Sequence, residues 1–197
     1  MIKIGIIGDI GSGKTFVSKQ FGYPVFNADK EVSKIYKKNK KCFIQLKKKL
    51  PNYINSFPIK KKELTNAIFA NKKNLKKIEN IVHPKVRKNM KKFIDKNKES
   101  KILIFDIPLL LESKKYKEYV LVFVQANKKD IYKNLKKRIN FNNKIFKNLK
   151  KSQLPVEIKK KKSNYIIKNN FNRFSVKKSV KVLKKKILKN ERSNTRH

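Results

Sequence analysis

The chain has 197 residues, of which 55 are Lys or Arg and 13 are Asp or Glu, so its formal net charge is +42. This length fits one domain, or one domain with a modest insertion. The single cysteine, Cys42, excludes an intrachain disulfide and a cysteine-based metal cluster. No apolar run approaches the ~20 residues of a membrane-spanning helix, and no secretory signal is visible. We therefore expect a soluble cytoplasmic protein without a membrane partner.

The positive charge has two possible explanations. A strongly basic chain is typical of nucleic-acid-binding proteins. However, only five of the 55 basic residues are Arg, and the abundant residues Lys, Asn and Ile share A/T-rich codons. A protein selected to grip phosphates or bases should use more Arg, because its planar fork makes bidentate contacts. We therefore favour composition bias and predict no specific nucleic-acid partner.

The first forty residues alternate short apolar strands with helices. Residues 2–7 predict a buried strand, and residues 8–15 form a glycine-bearing turn that leads into a helix over 15–21. Residues 25–26 predict a second strand, followed by a helix over 28–38. This alternation of strand and helix is the pattern of a parallel α/β sheet.

The next segment, residues 40–98, is predicted to be largely helical, because its apolar residues recur at three- and four-residue spacing. Pro84 suits the first turn of a helix that runs to about residue 96. Strands are then predicted at 101–106, 119–124 and 165–167, and helices at 128–138, 144–151, 156–162 and 175–188, with a frayed tail over 190–197.

The segment from Gly8 to Thr15 matches the phosphate-loop pattern G-x-x-x-x-G-K-[ST], between a predicted strand and a predicted helix. Gly11 and Gly13 allow the backbone angles that turn N–H groups toward phosphate oxygens. Lys14 can reach the β and γ phosphates, and Thr15 can offer its hydroxyl to Mg²⁺. The motif predicts a nucleoside-triphosphate site, and the residues expected to contact the nucleotide are Gly11, Ser12, Gly13, Lys14, Thr15 and Phe16.

Three further residues are candidates for the chemistry. Asp29 follows the second strand, where a carboxylate could accept a proton from an attacking hydroxyl, although a first-turn or capping acid is also common there. Asp106 ends the third strand and could help to hold Mg²⁺, or it could be a turn residue. Arg138 is one of few arginines, which suggests a geometric need such as clamping a transferring phosphate.

Taken together, these segments resemble the dephospho-coenzyme A kinase family. The resemblance runs from about residue 4 to residue 183, and it includes the phosphate loop and the segment of residues 26–29 that ends in Asp29. It also includes Arg138. More specific together are the pair His83-Pro84, the run Pro108-Leu-Leu-Leu-Glu112, and Gln153 and Asn169 in that order.

The resemblance implies transfer of the γ-phosphoryl group of ATP to the ribose 3′-hydroxyl of dephospho-coenzyme A, with Mg²⁺. It implies a P-loop kinase domain over residues 1–197, with a five-stranded parallel sheet flanked by helices. It also implies a helical substrate-binding insertion over 40–98 and a small lid over 138–155. By position, Asp29 matches the proposed base, Lys14 and Thr15 the phosphate and metal residues, and Arg138 a lid arginine.

The chain departs from the family pattern at Asp9, Asn27 and Asn134, where the family usually has a small or neutral residue, a second acid and another lid arginine. Two other functions are alternatives: a nucleoside or nucleotide kinase, and a basic nucleic-acid-binding protein that uses nucleotide as a switch. The partners that we expect are dephospho-coenzyme A and ATP, with the chain acting as a monomer or a weak homo-oligomer.

Overall fold

The structure is a computed structural model that describes residues 1–136, 150 and 153–194. In this part of the chain, five strands form one parallel sheet in the order β2-β3-β1-β4-β5. The strands are β1 (Ile2–Gly8), β2 (Val25–Asn27), β3 (Ile102–Asp106), β4 (Val120–Gln125) and β5 (Tyr165–Lys168).

The central strand β1 pairs with β3 on one side and β4 on the other. Ile4 lies opposite Ile104 of β3 and Val120 of β4. Every residue of β3 is buried, which is typical of a parallel strand covered on both faces by other elements. The parallel α/β sheet that the apolar runs predict is therefore confirmed.

The helices in the described residues are α1 (Lys14–Gln20), α2 (Ala28–Lys38), α3 (Lys40–Lys49), α4 (Lys61–Ala70), α5 (Lys72–Lys96), α6 (Lys128–Lys136), α7 (Val156–Lys161) and α8 (Arg173–Asn194). A short 3₁₀-helix, Lys114–Glu118, was not predicted. None of these helices combines the length and the apolarity that a membrane span requires.

The chain divides into two compact units. The first, Met1–Phe26 with Asn97–His197, contains most of the sheet, and the second is Asn27–Lys96. In the first unit, α8 buries one apolar face against strand residues of the sheet, through Val176, Val180, Leu183 and Ile187. Their spacing of three or four residues places them on one face of the helix.

The second unit has its own apolar core. Helices α2 to α5 contribute to it, together with the connection between α3 and α4. Its most deeply buried members include Cys42, Leu46, Ile54 and Ala67, each fully inaccessible to solvent. The helical character predicted for residues 40–98 is confirmed.

Two local predictions are wrong. Pro84 does not begin a helix but lies inside α5, which starts twelve residues earlier, at Lys72. The tail does not fray at residue 190, because α8 continues to Asn194. In both cases the helix extends through a position at which a helix boundary was predicted. The predicted helix over 144–151 falls outside the described residues except for Lys150.

Candidate active site

The phosphate loop connects β1 to α1 through backbone conformations that favour glycine. Gly11 and Gly13 have φ angles of 84° and 86°, in the left-handed region. Gly13 is also the N-cap residue of α1, which begins at Lys14, so the N–H groups of the first turn of the helix follow directly after the loop. The predicted strand, glycine turn and helix are all present.

Packing makes the same two glycines necessary. A Cβ atom on Gly11 would lie 2.9 Å from Cγ of Leu135 and 3.1 Å from Cγ2 of Ile131. A Cβ atom on Gly13 would collide with the side-chain amide of Asn169. The loop is therefore held closely by α6 on one side and by the segment after β5 on the other.

Lys14 places its ammonium group against the backbone of the loop. Its Nζ donates to the carbonyl oxygen of Asp9 at 2.9 Å and more weakly to that of Gly8 at 3.4 Å. The half-buried side chain thus turns back over the loop instead of extending along α1. A cation in this position can stabilise the oxygens of a bound polyphosphate.

Thr15 and Asp106 lie together. Thr15 Oγ1 donates to Asp106 Oδ2 at 2.5 Å, although the two residues are 91 positions apart in the chain. Asp106 is the last residue of β3 and only 3% exposed, whereas Thr15 is exposed. The hydroxyl and carboxylate oxygens are hard ligands of the type that Mg²⁺ prefers.

Asn169 holds the loop through a network that was not predicted from sequence, where this residue entered only as part of the family resemblance. Its side-chain Nδ2 donates to the carbonyl of Ser12 at 2.8 Å, and its backbone N–H donates to that of Gln125 at 2.7 Å. Its Oδ1 accepts from the backbone of Phe171 at 2.9 Å. Asn169 is 2% exposed, so these bonds fix the loop from the β5 side.

Beside this network, a cavity of about 400 Å³ opens where β4 and β5 end, entirely within the first unit. We call it the amide cavity because it is lined by Gln125, Ala126, Asn127, Asp130, Lys168, Asn169 and Asn170. In open parallel sheets, ligands bind at the carboxyl ends of the strands. Asn169 both lines the amide cavity and braces Ser12 of the phosphate loop.

Other predicted residues have different surroundings. Ser12 is 1% exposed, and its Oγ has no hydrogen-bond partner among the described residues. Phe16 is half-buried against the core under the sheet. Arg138 lies outside the described residues, as does most of the predicted lid over 138–155.

In the second unit, Asp29 is the second residue of α2 and is exposed. The helix cap is provided by Asn27, whose side-chain oxygen accepts from the backbone N–H of Lys30 at 2.8 Å. Asp29 is therefore a first-turn acid of α2 and not its capping residue.

A further residue that sequence analysis did not single out is Lys159, in α7. It lies in a run of four lysines, but it is only 2% exposed while the next residue, Lys160, is exposed. Nothing in the run itself distinguishes one lysine from another, so only the fold reveals it.

Comparison with known proteins agrees with this geometry. The family model for dephospho-CoA kinase matches residues 2–174. A dephospho-CoA kinase of Fusobacterium nucleatum is 34% identical over 176 residues, covering 86% of this chain and 90% of the relative. A dephospho-CoA kinase of Wolbachia pipientis is also 34% identical, over 170 residues, covering 83% and 87%.

Solved structures give the same result. A Thermus thermophilus protein superposes with a TM-score of 0.77 at 25% identity, over 92% of this chain and 95% of its own. The dephospho-CoA kinase of Campylobacter jejuni superposes with a TM-score of 0.66 at 25% identity, over 96% and 98%. The resemblance found in the sequence therefore extends to the fold.

Proposed function

This chain belongs to the dephospho-CoA kinase family, and on that premise we propose that it transfers the γ-phosphoryl group of ATP to the ribose 3′-hydroxyl of dephospho-coenzyme A. The products are coenzyme A and ADP. The observation that carries the proposal is the hydrogen bond between Thr15 and Asp106, which joins the phosphate loop to the segment that leads into Pro108–Glu112. The run Pro108–Glu112 is not part of the general phosphate-loop pattern, and it is among the more specific parts of the resemblance to this family.

The phosphate loop binds the triphosphate. Backbone N–H groups of residues 11–16 and the positive end of α1 attract the phosphate oxygens. Lys14, held against the loop carbonyls, offsets charge on the β and γ phosphates as it moves toward the leaving oxygen. Positioning and charge stabilisation are the main contributions that a protein makes to phosphoryl transfer.

The oxygens of Thr15 and Asp106 suit Mg²⁺. We infer that these two residues hold the ion, directly or through water, together with phosphate oxygens. When bound, Mg²⁺ neutralises charge on the phosphates and orients them. The buried carboxylate of Asp106 supplies a fixed negative charge for such an ion at the end of β3.

The amide cavity suits the adenine of ATP. Its lining offers both donors and acceptors from Gln125, Asn127 and Asn170, which match the mixed edge of a purine. The bond from Asn169 to Ser12 connects this cavity to the phosphate loop, so base and phosphates would be bound by one continuous structure.

A carboxylate can orient the acceptor hydroxyl and accept its proton, and we assign that role to Asp29. Its carboxylate is solvent-exposed and is not needed as the cap of α2. We further infer that Arg138 clamps the triphosphate, with residues 138–155 as the lid, and that residues 40–98 contribute to binding dephospho-coenzyme A. A nucleoside or nucleotide kinase is the alternative, and the relatives do not favour it.

The function is tested with purified protein, ATP and Mg²⁺, using dephospho-coenzyme A and a panel of nucleosides as acceptors. We expect ADP formation to depend on dephospho-coenzyme A, and the product to be coenzyme A by mass spectrometry. Equal or faster turnover of any nucleoside would reject this substrate.

The base is tested with Asp29→Asn. Removing a general base typically lowers turnover by ~10²–10⁴-fold, while the affinity for ATP should be retained. Asp95→Asn is a matched control, because Asp95 is also an exposed helical acid of the second unit. If a folded Asp29→Asn enzyme turns over at the wild-type rate, the base must be sought elsewhere, first at Asp106.

A further inference from the structure

Phe171, which follows β5, has an unusual backbone conformation for a residue with a large side chain. Its φ angle of 61° lies in the left-handed region, which residues other than glycine rarely adopt. The conformation is costly for an L-residue, because its Cβ atom comes too close to the following carbonyl oxygen. Surrounding contacts must therefore hold Phe171 in place, and residues held in this way cluster at functional sites.

The first of these contacts is made by the backbone of Phe171. Its N–H donates to Oδ1 of Asn169 at 2.9 Å. With the carboxamide oxygen engaged on this side, Nδ2 of Asn169 faces the phosphate loop and donates to the carbonyl oxygen of Ser12 at 2.8 Å. Asn169 is only 2% exposed, so water has little access to either bond. The backbone of Phe171 thus sets the orientation of the amide that holds the loop.

The second contact is made by the ring of Phe171. A Cβ atom on Gly13 would lie 3.0 Å from Cε1 of Phe171, so the edge of the ring rests against the loop at the residue before Lys14. In the part of the chain that the structure describes, this half-buried ring belongs to none of the apolar cores. The contacts that accompany the strained backbone are thus those with Asn169 and with the phosphate loop.

We propose that Phe171 is a positioning residue of the ATP site, whose ring and backbone N–H together hold the phosphate loop in the form that receives the triphosphate. The ring limits movement at Gly13, and the oriented amide of Asn169 fixes the carbonyl of Ser12. This inference rests on the proposed function in that it takes ATP as the ligand of the loop.

Phe171 contributes by preorganising the loop. The N–H groups of the loop must converge on the phosphates, whereas a backbone rich in glycine has many other conformations open to it. A loop that is competent for only a fraction of the time binds its ligand more weakly by that fraction. If loss of the ring lowers the competent fraction to about one tenth, the dissociation constant for ATP rises about 10-fold.

The test compares Phe171→Gly and Phe171→Ala with the matched control Phe174→Ala. Calorimetry measures the affinity for ATP, and thermal unfolding measures the melting temperature. Both changes at residue 171 remove the ring, so each should weaken ATP binding by about 10-fold. Phe174 lies three residues further on, in α8, and is 87% exposed. Its substitution should leave the dissociation constant within about 2-fold of wild type.

The two variants at residue 171 separate positioning from stability. Glycine adopts the left-handed conformation without strain, so Phe171→Gly should melt about 2–4 °C above Phe171→Ala. If Phe171 served stability alone, ATP affinity would follow the melting temperature, and glycine would restore it. We expect instead that Phe171→Gly is more stable than Phe171→Ala but still binds ATP about 10-fold more weakly than wild type.

Wild-type ATP affinity in Phe171→Gly would overturn the proposal, and so would an equal loss of affinity in Phe174→Ala. A melting temperature of Phe171→Gly no higher than that of Phe171→Ala would also overturn it, since residue 171 would then not be held in the left-handed conformation.

Because the readout is ATP binding, this test stands apart from the proposed function. A wild-type protein that binds ATP but does not phosphorylate dephospho-coenzyme A would reject the proposed reaction alone. A protein that phosphorylates dephospho-coenzyme A and binds ATP equally well with and without the ring of Phe171 would reject this inference alone.

Discussion

At the scale of single residues, the phosphate loop holds the ammonium group of Lys14 in place through its own backbone carbonyl oxygens. Lys14 is bonded to the carbonyl of Asp9, so its ammonium group is already in place at the loop. A preorganised charge costs no reorganisation during the reaction, and this is why such contacts contribute strongly to catalysis.

Lys14→Ala removes this charge. We expect turnover to fall by ~10²–10³-fold, because contacts of this kind are worth about 3–4 kcal/mol in the transition state. Steady-state kinetics with saturating ATP measure the effect, and thermal unfolding verifies that the variant is folded. Near wild-type turnover in a folded variant would contradict the function assigned to the loop.

A second residue-scale consequence concerns Tyr36 in the second unit. Burial, with a smaller contribution from Cys42, raises the pKa of its phenol to about 12, compared with 10.0 for an exposed tyrosine. The folded state therefore keeps the phenol protonated at a pH where the unfolded state ionises it. Its contribution to stability is fully present below pH 10 and is lost as the pH rises from about 10 to about 12.

We expect wild type to lose on the order of 2 kcal/mol of unfolding free energy over that interval relative to Tyr36→Phe, which cannot ionise. Urea unfolding of both proteins at several pH values measures the difference. The comparison cancels the titration of the lysines, which both proteins share. Parallel stability curves for the two proteins would show that the phenol is not protected in the folded state.

At the scale of elements, α5 contains a proline at its centre. Pro84 has no N–H to donate to the carbonyl of Asn80, and its ring disfavours the regular backbone before it. The residue belongs to the exposed class, so its burial offers little compensation for this cost. The helix is maintained instead by the buried residues Ile78 and Val82 on its inner face.

Pro84→Ala should therefore stabilise the second unit. Removing the proline relieves a cost of ~3 kcal/mol to the helix. It also makes the unfolded chain more flexible, which lowers stability by a smaller amount. We therefore expect the unfolding free energy to rise by about 1–2 kcal/mol. Lys77→Ala, at an exposed position of the same helix, should change stability by less than about 0.5 kcal/mol. A destabilised Pro84→Ala would mean that the proline is favoured by a contact.

The same helix shows which parts of the fold the sequence could predict. Strands β3 and β4 are continuous apolar runs up to their last residue, and β1 is apolar apart from Lys3 and its glycines, so the sequence was sufficient to predict buried strands there. Pro84 misled the prediction because a local helix-breaking signal is outweighed by tertiary packing on the far side of the helix. The end of α8 was missed because lysine and asparagine carry no stop signal that distinguishes helix from tail.

The candidate active site likewise contains residues that the sequence could predict and residues that it could not. The loop residues and the pairing of Thr15 with Asp106 follow from motif spacing and from the meeting of parallel strand ends at one edge. The hydrogen bond from Asn169 to the loop and the burial of Lys159 depend on which surface each side chain meets after folding. No local pattern distinguishes Lys159 from the exposed lysines beside it, because burial is a property of the assembled core.

At the scale of the whole molecule, the net charge of +42 is spread over the chain. We expect non-specific binding to DNA at low salt that fades near physiological salt, because the binding is driven by counterion release. Fluorescence anisotropy with two unrelated duplexes across a salt series measures it. Tight, sequence-selective binding at physiological salt would contradict the assignment of the charge to composition bias.

The order of the strands in the sheet also determines how long β1 stays unpaired while the chain is being translated. Ile2 of β1 pairs with Ile102, and Ile4 pairs with Val120, so the central strand precedes both neighbours by about a hundred residues. At roughly 5–20 residues per second, a nascent chain carries β1 unpaired for about 5–20 s. Residues Asn27–Lys96, which form a compact unit with its own core, are synthesised within that interval. The apolar segment of residues 2–7 is consequently the part of the newborn chain most in need of shielding, and slower translation between β1 and β3 would prolong its exposure.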